Sequence, residues 1–141
     1  SANQTVSVLL NNGLGFNAAV SYPAGGSVAD VAVADLDGDA LPDLIATSAA
    51  SWTASVLPGL GDVTFGPAFG SVVGINPEGL SVSDFNSDSR PDVATANFQE
   101  RTVSVLFGNG TGDLLGPKLV GVSLACNQSF VGDPFAGTSF R

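Results

Sequence analysis

The sequence predicts an all-β protein assembled from repeated four-stranded antiparallel units. Three observations carry this reading. An acidic nonapeptide occurs twice, 49 residues apart, as Asp35-Leu-Asp37-Gly-Asp39-Ala-Leu-Pro42-Asp43 and Asp84-Phe-Asn86-Ser-Asp88-Ser-Arg-Pro91-Asp92. A segment of the form Thr-x-Ser-Val-Leu starts at Thr5, Thr53 and Thr102, at spacings of 48 and 49 residues, and runs each time into a glycine turn. No window places apolar residues at helical spacing between caps, whereas short β-branched runs bounded by Gly, Asn and Pro are frequent.

The elements follow in order. Val6 and Val8 alternate with Ser7, and the Asn11-Asn-Gly13 ending suits a strand entering a tight turn. A returning strand is expected from Phe16 to Tyr22. Val31 to Ala34 leads into the first acidic loop and Leu44 to Thr47 leaves it. The strand from Thr53 turns at Gly59 to Gly61 and returns from Phe65 to Val73. The second repeat reads alike: Leu80 to Ser83, the loop, Val93 to Ala96, a strand from Thr102 and a return from Leu114 to Val122. This gives about ten strands. Pro42 and Pro91 fall inside the loops, where a missing N–H disturbs no ladder. Each unit is an inner strand, an acidic loop, a second strand, a third strand, a Gly turn and an outer strand. Four-stranded antiparallel units at this period are the blades of a β-propeller.

The chain thus reads as one repeat domain over 1–141. It holds a partial blade over about 1–28, a repeat over about 29–77, a second over about 78–126 and a degenerate third copy over about 127–141. In that last copy Asp133 keeps the first loop position, but Phe135, Gly137 and Arg141 replace the other ligand positions. With about 2.5 repeats the expected ring is incomplete.

Composition bounds the function. The 141 residues suffice for a domain with its own core. Four basic residues against 13 acidic ones give a net charge of −9, which argues against a phosphate-binding surface and so against nucleic acid. Seven of the 13 acids lie in the two loops, so the charge is concentrated. No apolar run is long enough to span a membrane, and no charged n-region precedes an apolar stretch at the start. Cys126 is the single cysteine, which removes an intrachain disulfide framework; it reads as a buried free thiol, with an intermolecular bridge as the alternative. There is no His, which removes Ser-His-Asp and Cys-His catalysis and His-based zinc sites. Gly13-Leu-Gly15 and Gly108-Asn-Gly110 lie in turns of a β pattern and match no nucleotide fingerprint. The reading is a non-enzyme.

The nonapeptides place oxygen side chains at loop positions 1, 3, 5 and 9, and a hard cation such as Ca2+ takes six to eight oxygen ligands from such alternation. An EF-hand is not the match, because position 12 is Ala46 or Thr95 instead of Glu, and strands flank the loops where helices are required. The run from Val31 to Ala46 (Val-Ala-Val-Ala-Asp-Leu-Asp-Gly-Asp-Ala-Leu-Pro-Asp-Leu-Ile-Ala), followed by Ser55-Val-Leu and a Gly turn, resembles the FG-GAP/VCBS repeat of integrin-α-like β-propellers and propeller lectins. The resemblance covers the chain from about Thr5 to Asp133. It implies two structural Ca2+ sites. Asp35, Asp37, Asp39 and Asp43 with the Leu41 carbonyl would hold one ion, and Asp84, Asn86, Asp88 and Asp92 with the Arg90 carbonyl the other. The second loop has one carboxylate fewer and should bind more weakly.

Two further signals stand outside the loops. Trp52, the only Trp, lies in the turn between second and third strands. An exposed ring there would offer a stacking face for a sugar; packing against a neighbouring blade or protomer is the commoner role of a large aromatic. Sequons occur at Asn3, Asn109 and Asn127, with Asn109 in an exposed Gly-rich turn the first choice for glycosylation in a secreted protein.

The expected function is a non-catalytic, extracellular, Ca2+-stabilised structural or adhesion module. Its incomplete blades imply self-association into an oligomer or filament with other copies, or a fragment of a longer propeller. The alternative is a lectin-like module that binds glycans. Neither reading involves nucleic acid or membrane insertion.

Overall fold

The structure, a computed structural model, describes residues 4–120. Asn3, Cys126, Asn127, Asp133 and the expected third copy lie outside the described residues. Twelve strands form four antiparallel sheets, with no helix and no closed barrel among the described residues.

β1 (Thr5–Val8) and β2 (Val20–Pro23) make a two-stranded hairpin. β3 (Val28–Ala34), β4 (Asp43–Ser48), β5 (Thr53–Leu57) and β8 (Phe69–Val72) form the first four-stranded sheet in that order. β6 (Gly59–Gly61) and β7 (Thr64–Phe65) are a short ribbon between β5 and β8. β9 (Pro77–Ser83), β10 (Asp92–Asn97), β11 (Thr102–Gly108) and β12 (Leu114–Val120) form the second four-stranded sheet, again in sequence order. Both sheets are therefore meanders. The acidic nonapeptides connect β3 to β4 and β9 to β10.

Two expected strands came out shorter. The expected Phe65-to-Val73 strand is split in two, because Pro67 has no N–H to donate and the Gly66 N–H turns away to the Pro58 carbonyl at 2.7 Å. The expected Phe16-to-Tyr22 strand starts only at Val20. Upstream, Asn12 and Asn17 bond to each other through their side chains at 2.9 Å, and Phe16 makes only an isolated bridge to Asn11. Local Asn side-chain bonding here competes with a ladder.

The apolar core lies between the sheets. One cluster joins Leu36, Ile45, Ala54 and Val56 of the first sheet and its loop to Val93 and Leu106 of the second. The other places Val6, Val8 and Tyr22 of the hairpin on Leu44, Ala46 and Leu57. The single aromatic pair among the described residues, Tyr22 edge-on to Phe65 at 5.3 Å, closes that second layer. β4 is buried along its whole length because it meets the hairpin on one face and the second sheet on the other. The sheets are also clasped polar to polar: the half-buried Asp30 carboxylate on β3 accepts the N–H of Leu80 on β9 at 2.9 Å.

Candidate metal centre

Each acidic loop leaves its inner strand and bends back into the second strand within nine residues. So tight a bend needs left-handed residues. Gly38 (φ 81°) and Ala40 (φ 66°) in the first loop, and Ser87 (φ 63°) and Ser89 (φ 68°) in the second, take that conformation at the fourth and sixth positions. A non-glycine there costs about 1–2 kcal/mol. The loop offsets the cost with its own carboxylates. The Ala40 N–H donates to Asp35 Oδ2 at 2.9 Å, and the Ser89 N–H to Asp84 Oδ2 at 2.8 Å.

Two further bonds repeat from one loop to the other. The N–H of Asp39 or Asp88 donates to the third side chain, Asp37 at 3.1 Å or Asn86 at 3.0 Å. The N–H of Leu41 or Arg90 donates to the fifth, Asp39 at 2.7 Å or Asp88 at 2.9 Å. These Asx turns orient successive side chains to one side. In the first loop the carboxylate oxygens of Asp35, Asp37 and Asp39 converge within 4.8 Å of one another. Three gathered carboxylates form an all-oxygen donor set of the kind that suits a hard cation.

The ninth residue behaves differently. Asp43 and Asp92 are buried, and each carboxylate is held by two backbone donors. Asp43 accepts from Leu36 and Gly59 at 2.8 Å each, and Asp92 from Phe85 at 2.8 Å and Gly108 at 2.9 Å. Asp43 stands outside the converging trio. Each carboxylate oxygen has two lone pairs, so one per oxygen is left over for a cation. The primary work of this residue is to close the loop onto its own sheet.

Electrostatics separate the trio. Desolvation opposes ionisation of Asp35, yet the N–H groups of Gly38 and Ala40 outweigh it and hold the carboxyl below its ordinary value. Asp84 is lowered in the same way, with desolvation outweighed by the N–H groups of Ser89 and Asp88. For Asp37 the Asp39 N–H favours the charged form, but desolvation and the charges of Asp39 and Asp43 prevail and raise it. A carboxylate held up by its neighbours' charge is what a bound cation relieves. In the second loop the Asn86 amide donates to Asp88 Oδ2 at 3.1 Å, replacing a repulsion with an attraction.

Sequence reasoning missed the glycines that cross over the loops. A Cβ on Gly59 or Gly108 would run into the carbonyl oxygen of Pro42 or Pro91. Only glycine lets the strand end pass there and donate its N–H to Asp43 or Asp92. The signal was present as a glycine 16 residues after each ninth-position Asp. The turn between β11 and β12 also reaches the other repeat's loop: a Cβ on Gly112 would lie 3.8 Å from the Asp37 Cβ.

No family model matches the chain, and the comparison with curated proteins found no match.

The other candidate residues are placed as follows. Trp52 sits in the β4–β5 turn with φ 56° and is 45% exposed. Asn109 is half-buried, and its Oδ1 accepts both the N–H and the hydroxyl of Thr111 at 2.8 Å. Outside those candidates, the carboxylates of Glu78 and Glu100 accept hydrogen bonds from Asn76 and Thr102 and join no carboxylate cluster among the described residues.

Proposed function

We propose that the protein is a non-catalytic, Ca2+-stabilised structural module of the extracellular space. Its four-stranded units are propeller-type blades of FG-GAP/VCBS character, and copies of the chain associate into an oligomer or filament. The observation that carries the reading is the convergence of Asp35, Asp37 and Asp39 in a loop whose backbone bonding recurs at the second nonapeptide. The residues fit a Ca2+ ion through their chemistry: all donors are oxygen, most are charged, and the loop is pre-shaped by its own N–H groups. Asp43, Asp92, Asn86 and the carbonyls of Leu41 and Arg90 complete the two sites in this reading. Bound only by the folded chain, the ions stabilise it by mass action. Millimolar extracellular Ca2+ suits sites of this exposed kind.

The test is native mass measurement and calorimetric Ca2+ titration of the whole chain. The reading expects two bound ions, the second weaker, and assemblies that dissociate in EDTA. Absence of any Ca2+ binding removes the metal reading, and a monomer at every concentration removes self-association.

The exposed Trp52 favours a second reading, a lectin-like module that stacks a sugar on that ring. Quenching of its fluorescence by simple glycans, absent in Trp52→Phe, would support it.

A further inference from the structure

The internal packing follows one rule. In each unit the residues of one face of the third strand rest on the second and third strands of the next unit. Val6 and Val8 of β1 rest on Leu44, Ala46 and Leu57. Ala54 and Val56 of β5 join Val93 and Leu106 of the second sheet. The repeat of 49 residues makes Val103 and Val105 the equivalents of Ala54 and Val56, and Ala94 and Ala96 the equivalents of Ile45 and Thr47.

The first-sheet residues are buried at 0–2% exposure, whereas their second-sheet equivalents are half-buried or exposed. Register explains the face. Val93 opposite Leu106 points to the first sheet, so Ala94 opposite Val105 and Ala96 opposite Val103 point away from it. Phe107 and the paired Leu115, itself 55% exposed, extend the same open face. Nothing among the described residues covers it.

The equivalent of the covered back faces is exposed on the β1–β2 hairpin. On β1, Ser7 lies on the face turned away from the first sheet, paired with Ser21, and both are exposed. The equivalents of Ser7 are Ser55 and Ser104, which are buried at the two internal interfaces. The covered back faces inside the chain mix polar and apolar residues: Ser55 lies beside Leu44, Ala46 and Leu57, and Thr95, Asn97 and Ser104 lie beside Val93 and Leu106.

We propose that a second copy of this chain covers the open face of β10 and β11, seating the outward face of its β1–β2 hairpin there, head to tail. This rests on the self-association reading above and names its interface. The contact is heterologous, with different surfaces on the two partners, so it extends into a ring or filament unless it is capped.

The experiment uses the full chain in Ca2+, with light-scattering mass and native mass spectrometry. Val105→Asp blocks the open face and Ser7→Lys blocks the hairpin face. Each alone should raise the apparent Kd of assembly by more than about tenfold, as expected for a charge at an interface centre. Mixing the two variants should restore dimers and nothing larger, because one intact joint survives between an unaltered open face and an unaltered hairpin. Thermal melts check that each variant folds, and Ala96→Asp, at an exposed position of the same face, stands in for Val105→Asp if that variant does not.

Wild-type assemblies unaffected by both variants overturn this interface and leave self-association standing. A wild-type monomer overturns both. A monomer that assembles only after removal of residues 121–141 assigns the face to the chain's own C-terminal segment and overturns the proposal.

Discussion

The Gly59 N–H donates to the buried Asp43 carboxylate at 2.8 Å, and Gly108 donates to Asp92 at 2.9 Å. The same carboxylates take the N–H of Leu36 and Phe85 on their second oxygen. The acidic loop and the end of the third strand are thus locked together by one side chain in each sheet. Asp92→Ala should lower the unfolding free energy by about 3 kcal/mol or more, since two bonds to a charged acceptor are lost at roughly 1.5–3 kcal/mol each. Asp92→Asn keeps one acceptor and should lose about half as much. Urea unfolding measures both, and the loss should appear in EDTA as well as in Ca2+.

The converging trio behaves in the opposite way. Asp39 accepts one bond, from the Leu41 N–H, on an exposed loop. Asp39→Ala should therefore cost little in EDTA and much more in Ca2+, where saturation at a hundred times Kd contributes about 2.7 kcal/mol. Equal losses of Tm in the two buffers would mean that no ion binds there.

Asp37 carries the sign of the repulsion. Its folded pKa is raised above the ordinary 3.8, so the ionised form is penalised in the folded state at neutral pH. Asp37→Asn should raise Tm in EDTA near about pH 7 and have no such effect near about pH 3, where the carboxyl is protonated in both states. In Ca2+ the same substitution should weaken binding. Asp35 and Asp84 have the reverse sign: their folded values are lowered, so their contribution is present above 3.8 and is lost as pH falls through the lower folded values. A Tm profile in EDTA across acid pH reads both effects.

Close passage makes two glycines irreplaceable. Gly59→Ala and Gly108→Ala each force a Cβ into a backbone carbonyl and should cost about 1–3 kcal/mol. Gly116→Ala meets nothing within 4 Å and should stay within about 0.5 kcal/mol of wild type. Thermal melts of the three variants separate a steric demand from a general intolerance of substitution.

The strands of both repeats were legible because β-branched alternation and the spacing of 49 residues are local and repetitive: the segments from Thr53 and Thr102 became β5 and β11. The first-loop trio was equally legible, since alternate residues of a tight turn converge whatever surrounds them. The split of the expected Phe65-to-Val73 strand was less so, because it depends on where the Gly66 N–H finds an acceptor.

By itself the sequence determined the all-β class, the repeat and the positions of the acidic loops, all of which follow from the period of side chains along the chain. Only the tertiary structure decided that Asp43 and Asp92 are buried loop clasps, because their partners Gly59 and Gly108 come from another strand. It also decided that Ala54 and Val56 are buried in one sheet while their equivalents Val103 and Val105 are only half-buried in the next. Burial depends on what lies across a face, and a repeated sequence carries the face without saying what covers it.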